Sequence, residues 1–185
     1  MEEEEKILRY CQRGDANGFS DMVRALEERI FRLAWRMTGD PLLAEEAASL
    51  VLYKIWTKAG RWRGEASART WIYRIAVRTT LDVERGRKRW RRRWKGNMPI
   101  AVADRRAGPA ELAAESESRR KDEARVQDAI SQLAAEDRAL IHLFYFEGHA
   151  IAEIGDILGV SRDALKMRLS RARQRLKRLL ENKDG

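Results

Sequence analysis

Arginine and tryptophan interleave along residues 61–95 in a pattern that suits a polyanion with exposed bases. Arg61-Trp62-Arg63 lies between Gly60 and Gly64. Trp71 follows one helical turn into the next element, and Arg87-Lys88-Arg89-Trp90-Arg91-Arg92-Arg93-Trp94-Lys95 closes the stretch. Guanidinium groups pair with phosphates while unstacked bases lie on aromatic rings, which is the chemistry of single-stranded nucleic-acid binding. The rival role for Trp62 and Trp71 is to fill core. Trp90 and Trp94 are compatible with stacking, with insertion or with loose ordering.

Charge is distributed unevenly over the 185 residues. The formal net charge is +9, yet residues 61–95 carry 13 Lys/Arg against 3 Asp/Glu, and residues 166–185 carry 8 against 2. Residues 1–60 and 96–165 are net acidic. Two basic zones in an otherwise acidic chain imply two contacts with a polyanion. Anionic lipid is the competing partner for the run at 87–95.

Other chemistry finds little support. His142 and His149 stand seven apart around Gly148, without further residues at metal-ligand spacing; His142 reads as a core-edge residue and His149 as a loop residue. Asp82 and Glu84 have arginines close by, so ion pairs explain them. No nucleophile, base and orienting group come together, so neither an enzyme nor a metal site nor a cofactor is expected. Cys11 is the only cysteine, which precludes an internal disulfide. A half-buried thiol explains it better than a redox sensor. The acidic start, Met-Glu-Glu-Glu-Glu-Lys, is unlike a signal peptide, and no apolar run approaches a membrane span. A cytoplasmic protein without membrane insertion is expected.

The elements that must carry these groups read as helices throughout. Phe19, Val23, Leu26, Ile30, Leu33 and Met37 recur at helical spacing. Thr38-Gly39-Asp40-Pro41 then stops one helix and starts another, with Gly39 after the C-terminus, Asp40 as N-cap and Pro41 in the first turn. The second helix, to about Ala59, is apolar nearly all round. A unit of about ninety residues can hardly enclose such a helix, so one face is offered to a partner. Residues 60–67 form a loop. A helix over about 68–85 buries Ala68, Ile72, Ile75, Ala76 and Thr79 and turns Thr70, Arg74, Arg78 and Arg85 outward. Residues 86–118, with Gly96, Pro99, Gly108 and Pro109, lose periodicity. Val126, Ile130 and Leu133 then mark one helical face, and Leu140, Ile141 and Phe144 the next. The expected fold is all-α. Two small helical domains (1–90 and 120–185) are joined by a flexible linker (91–119), the second being a four-helix region.

That second region contains the grammar of a helix-turn-helix. Along Ile151 to Ser161, Gly155 is small where two helices cross, Gly159 makes the turn, Val160 plugs the space between them and Ser161 caps the second of the pair. On that helix Leu165, Leu169, Ala172, Leu176, Leu179 and Leu180 form one stripe. Lys166, Met167, Ser170, Arg171 and Gln174 project from the other side. Its N-terminal residues suit base edges in a major groove, and Arg173, Arg175, Lys177 and Arg178 suit phosphates. A stand-alone helix-turn-helix repressor would explain this half and leave the first half unexplained.

These segments together resemble the extracytoplasmic-function (ECF, group 4) sigma factors of bacterial RNA polymerase, in the sigma-70 family. The resemblance covers about residues 16–90 and 120–180. It rests on Arg36-Met-Thr-Gly-Asp40, Ala44-Glu-Glu46 through Trp56, Arg63-Gly64-Glu65 followed by Thr70-Trp71-Ile-Tyr-Arg-Ile-Ala76, and Leu133 through Arg173. It implies a factor that guides core polymerase to promoters, binding the minus-35 element and melting and holding the minus-10 element. By resemblance, Glu45, Glu46, Ser49, Leu50, Tyr53 and Trp56 face core polymerase. Arg61, Trp62, Arg63, Gly64, Ser67, Thr70, Trp71, Arg74 and Arg78 face minus-10 DNA. Ser161, Arg162, Lys166, Met167, Ser170, Arg171, Arg173 and Gln174 face minus-35 DNA. An anti-sigma factor, able to hold the chain at a membrane, is also implied. The chain departs from the family pattern at Ser49-Leu50, where a Gln or Asp and then an acidic residue are usual. Arg78 replaces an asparagine, Ala134-Ala135 replace prolines, and His149-Ala150 replace a Leu-Ser pair.

Overall fold

The protein is represented by a computed structural model that describes residues 3–14, 16–94 and 117–181, with no strand among them. Four helices build the first half: α1 (Glu3–Gln12), α2 (Ala16–Thr38), α3 (Pro41–Lys58) and α4 (Ala68–Arg93). The second half holds α5 (Glu117–Ser131), α6 (Ala135–Ile141), α7 (Ile151–Leu158) and α8 (Arg162–Glu181). A single 3₁₀ turn, Ala59–Arg61, follows α3, and a π-helical turn, His142–Phe146, continues α6. Of the expected linker (91–119), residues 95–116, with their glycines and prolines, lie outside the described residues; 91–93 continue α4 and 117–119 begin α5.

The junction between α2 and α3 forms as its residue types dictate. Gly39 takes a left-handed φ of 68°, which a Cβ would strain, and its N–H donates to the Trp35 carbonyl. Asp40 then caps α3, its side chain accepting from the N–H groups of Leu42 and Leu43. α2 buries Met22, Leu26, Ile30, Leu33 and Met37 against α3 and α4. Phe19, expected on that stripe, is instead exposed at its edge, where its ring meets Trp56 edge-on at 5.3 Å. Each fully buried Leu, Ile or Met contributes on the order of 2 kcal/mol.

Three elements differ from the sequence-based expectation. α1 packs Ile7, Leu8 and Cys11 against α2 and α4, although its ten residues carry too short an apolar pattern to stand out among three glutamates and Lys6. α4 runs to Arg93 instead of Arg85, because Gly86 is tolerated within a long helix at about 1 kcal/mol relative to Ala. Val126 is exposed, α5 turning Ala129 and Ile130 inward.

The helix-turn-helix forms on the expected residues. A Cβ on Gly155 would lie 3.0 Å from the Val160 carbonyl oxygen and 3.6 Å from Leu165 Cδ1, so the close crossing of α7 and α8 requires glycine. Gly159 ends α7 at φ 70°, and the Ser161 hydroxyl accepts from the Ala164 N–H at 3.4 Å. Leu165, Leu169 and Ala172 are buried along one stripe, continued by half-buried Leu176, Leu179 and Leu180.

The two halves are not separate beads. One apolar cluster runs from Ile7 and Leu8 through Ile55 and Ile72 to Leu140, Ile154, Leu165 and Ala172. α4 lies against α7, while α2 meets α5, α6 and the π turn.

Candidate nucleic-acid interface

α3 is two-faced in a way that its apolar composition concealed. Ala44, Ala47, Ala48, Val51, Leu52 and Ile55 are buried, whereas Glu45, Glu46, Ser49, Leu50 and Tyr53 are exposed. Leu42 and Tyr53, 70% and 63% exposed, lie on either side of the two glutamates along the helix. This is a mixed apolar and acidic face without a partner from this chain among the described residues. Beside it, Arg24, Glu27, Glu28 and Phe31 of α2 form with Glu45 and Ser49 a groove of about 520 Å³. Those α2 residues did not stand out in the sequence, because only packing brings them alongside α3. Trp56, grouped with the exposed face from sequence, is half-buried against Phe19.

The loop before α4 is organised by its own side chains. Trp62 donates its indole N–H to the Ala66 carbonyl at 2.9 Å and packs against the core, with the Arg9 guanidinium 5.9 Å from its ring centre. Ser67 caps α4, accepting from the Thr70 N–H at 3.1 Å. Thr70, expected to point outward, is buried because its hydroxyl turns back to Ser67 at 2.9 Å. Arg61, Arg63 and Gly64 stay exposed at the loop tip, as does Arg78 on α4, and Trp71 is half-buried.

On α8, Arg162, Lys166, Met167, Ser170, Arg171, Arg173 and Gln174 form the outward side, with Ser161 exposed at the cap and Met167 57% exposed. The Arg173 guanidinium hydrogen-bonds the Tyr145 hydroxyl at 2.6 Å and lies over the Phe144 ring, which holds that arginine at the rim of the unit. α8 therefore offers an exposed polar and basic face opposite its leucine stripe, the form of a recognition helix.

The arrangement brings members of both basic sets to one place. Arg74 Nε donates to the Asp156 carbonyl at 3.0 Å, and Arg74, Ser161 and Arg162 share the walls of a groove of about 590 Å³ between α4 and the helix-turn-helix. Glu147, just after the π turn, is the hub of this contact. Its carboxylate accepts from the Tyr73 hydroxyl, and Arg29 Nη2 lies 3.6 Å away. His142 Nε2 is 3.3 Å from the other oxygen, and Arg69 donates to the Glu147 backbone carbonyl. Burial pushes the Glu147 carboxyl up, but His142, Tyr73 and Arg29 more than offset it and bring its pKa down to about 2. Burial likewise pushes the Tyr73 phenol up and the His142 imidazole down.

His149, read as a loop residue, lies in a loop and yet is buried, its ring edge-on to Tyr73 at 4.8 Å. Arg36 lies 3.9 Å over the Phe146 ring. Tyr73, Arg29, Arg69 and Glu147 escaped sequence reasoning, since Glu147 stands at least 74 positions from each of the others and only the docking of the halves unites them. Asp82 and Glu84 form the expected ion pairs, with Arg85 at 3.6 Å and with Lys88 and Arg138 at 2.8 and 2.6 Å. Cys11 is buried, its thiol 3.7 Å from Met22 Sδ and its pKa pushed by burial to about 11. No helix among the described residues is long and apolar enough to cross a membrane.

Two family models match the chain in the order of its two basic zones: sigma-70 region 2 over residues 22–95 and sigma-70 region 4 over residues 123–176. The RNA polymerase sigma-H factor of Pseudomonas aeruginosa is 26% identical over 190 residues, spanning 98% of this chain and 95% of the relative. The ECF RNA polymerase sigma factor SigM of Mycobacterium tuberculosis is 30% identical over 171 residues, spanning 90% and 79%. Among solved structures, the sigma factor RpoE in complex with the anti-sigma factor NepR from Bartonella quintana shares the fold. Its TM-score is 0.69 at 23% identity, covering 88% of this chain and 96% of that one. CnrH in complex with the cytosolic domain of CnrY gives a TM-score of 0.68 at 20% identity, covering 98% and 99%.

Fold and site thus define a bacterial transcription initiation factor. The chain belongs to the ECF sigma factors of the sigma-70 family, and it directs RNA polymerase to promoters. A match to region 2 in the first half disposes of the stand-alone repressor.

Proposed function

We propose that this ECF factor, of group 4, divides promoter recognition between its halves. The exposed face of α3, with Glu45, Glu46, Ser49, Leu50 and Tyr53, docks on core polymerase. Arg61, Arg63 and Gly64 in the loop, with Trp71, Arg74 and Arg78 on α4, hold the unpaired minus-10 strand. Trp62 shapes that loop from beneath, and Ser67 with Thr70 fixes the start of α4. The exposed face of α8, from Ser161 to Gln174, reads the minus-35 duplex. The observation that carries this reading is that the α3 and α8 sets lie on exposed faces with a buried stripe behind each, and that Arg61, Arg63, Gly64 and Arg78 are exposed, while Trp71 is half-buried and Arg74 is engaged by Asp156. Extruding a base costs a few kcal/mol, which stacking and arginine contacts must offset.

Bond-making belongs to the polymerase, and the chain acts as a positioning factor in the cytoplasm. An anti-sigma partner fits the reading, because the structurally similar RpoE is bound to the anti-sigma factor NepR and CnrH to the cytosolic domain of CnrY. The test is transcription of fragmented genomic DNA by sigma-free core polymerase with this protein, sequencing RNA 5′ ends. New starts that share two spaced upstream motifs support the reading. Arg78→Ala should change the preferred downstream motif, and Arg171→Ala the upstream one. Absence of new starts and of co-elution with core would sink it.

A further inference from the structure

The last eight residues of the α4 region, 87–94, are all exposed, with Arg87 and Trp90 still bordering α3. They hold six basic residues and two tryptophans. Stepping about 100° per residue places Arg87, Arg91, Lys88, Arg92, Arg89 and Arg93 on a continuous arc of about 240°. Trp90 and Trp94 occupy the narrow remainder. Their rings stack on one another, with centroids 6.2 Å apart and planes at 27°, and the Arg87 guanidinium lies 5.0 Å from the Trp90 ring centre. Trp90 also borders a groove between α3 and α4, beside Leu43 and Leu50. Trp90 is therefore turned toward α3, with Arg87 over its ring and Trp94 stacked beside it, and the rest of the basic arc (Lys88, Arg89, Arg91, Arg92 and Arg93) lies outside that seam.

Such a segment is electrostatically incomplete. Arg87 and Arg91, Lys88 and Arg92, and Arg89 and Arg93 are like-charged pairs four apart, which repel on a helix. Lys88 has Glu84 at 2.8 Å, but among the described residues Arg89, Arg91, Arg92 and Arg93 have no acidic partner. The partner that relieves this must present negative charge around most of the helix. A membrane surface does not, and the segment lacks the broad apolar face that would enter one. A single strand offers phosphates along one line. A B-form major groove, about 12 Å wide with a phosphate wall on each side, accepts a helix about 10–12 Å across and meets a basic arc on both flanks.

We propose that residues 87–94 form a sequence-independent duplex-DNA clamp that extends α4 beyond its strand-holding part. Arg91 lies about 20 Å along the helix from Arg78, so the clamp grips double-stranded DNA roughly six base pairs away from the contacts of Arg78. The clamp does not depend on which promoter motifs the chain prefers.

The test uses the full chain, a short fluorescent duplex of scrambled sequence, the same strand unpaired, and phosphatidylserine vesicles. Binding is followed against salt concentration for the wild type and for Arg89→Gln/Arg92→Gln/Arg93→Gln. Each phosphate contact contributes about 0.9 to the slope of log affinity against log salt, so the variant's slope on duplex should be shallower by about 3. Its thermal melting should not fall, since all three side chains are exposed and their removal relieves like-charge repulsion. An unchanged slope on duplex overturns the proposal, as does a loss confined to the single strand or to vesicles. Promoter-dependent initiation is read separately, so failure of the promoter reading would leave the duplex result standing.

Discussion

Glu84 of α4 and Arg138 of α6 form an ion pair 2.6 Å long, with side chains only 10% and 8% exposed, across the junction of the two halves. Arg138 also donates to the Ser131 and Leu133 carbonyls at 3.1 Å, so it closes the end of α5 at the same time. Glu84 keeps a second cation in Lys88 when Arg138 is lost, whereas the two carbonyls lose the guanidinium that satisfies them. Stranding one member of a buried pair typically costs about 3–5 kcal/mol. Glu84→Gln, which strands the buried Arg138 cation, should therefore destabilise the chain by about 3 kcal/mol, and Arg138→Met, which loses the ion pair and leaves both carbonyls unsatisfied, by more. Urea denaturation of both variants checks the order; equal losses would contradict it.

Glu147 should govern how tightly the halves are closed. It gathers Tyr73, Arg29 and Arg69 from the first half around one carboxylate and its backbone carbonyl. Glu147→Ala removes the acceptor while leaving the α4 side chains intact, at a cost of about 3 kcal/mol to closure. A compact chain of this length has a radius of gyration of about 16 Å. Small-angle scattering should show the variant several ångströms larger than the wild type. Because closure ties Arg74 to Asp156, the variant should also bind promoter DNA with core polymerase more readily.

Acid should weaken the closed form in two stages. Burial holds His142 and His149 below the ordinary 6.5, while Glu147 is brought down to about 2 from the ordinary 4.5. In all three cases the unfolded chain binds protons at a pH where the folded chain does not, so stability rises with pH. It should be fullest above about pH 6.5, decline below it as the histidines titrate in the unfolded chain, and decline again from about 4.5 toward 2 as Glu147 does. Urea midpoints on either side of these values test this. A profile flat from neutrality down to about pH 3.5 would refute it.

The start of α7 leaves room for improvement. Ala150 occupies the N-cap in an extended conformation, and Glu153 already accepts from its N–H at 2.8 Å, yet alanine cannot return a bond to the helix. Ala150→Ser should complete the reciprocal cap and stabilise the chain by about 1 kcal/mol, raising Tm by a few degrees. Glu153→Ala in that background should remove part of the gain.

Cys11 offers a chemical check on the α1 packing. With its thiol pKa pushed up to about 11 and its sulfur against Met22, it should resist a thiol reagent in the folded chain at neutral pH. Rapid labelling without denaturant would mean that α1 detaches.

Much of this protein was determined by residues acting on their near neighbours. The Gly39-Asp40-Pro41 turn, the Gly155/Gly159 grammar and the leucine stripe of α8 depend on dihedral preference and on helical periodicity, which are local. The lengths of α1 and α4 were not decided locally. α1 forms because Ile7, Leu8 and Cys11 find α2 and α4 to cover them, and α4 continues through Gly86 because one glycine is a small cost within a 26-residue helix. Thr70, His149 and Glu147 were likewise beyond local reasoning. A threonine, a histidine and a glutamate give no local sign of burial; the docking of the second half on the first, or a cap that turns the side chain inward, decides it. Which exposed arginines remain free, and which are spent joining the halves, is fixed by contacts between residues far apart in the chain. Periodicity carries no record of those contacts; packing alone decides them.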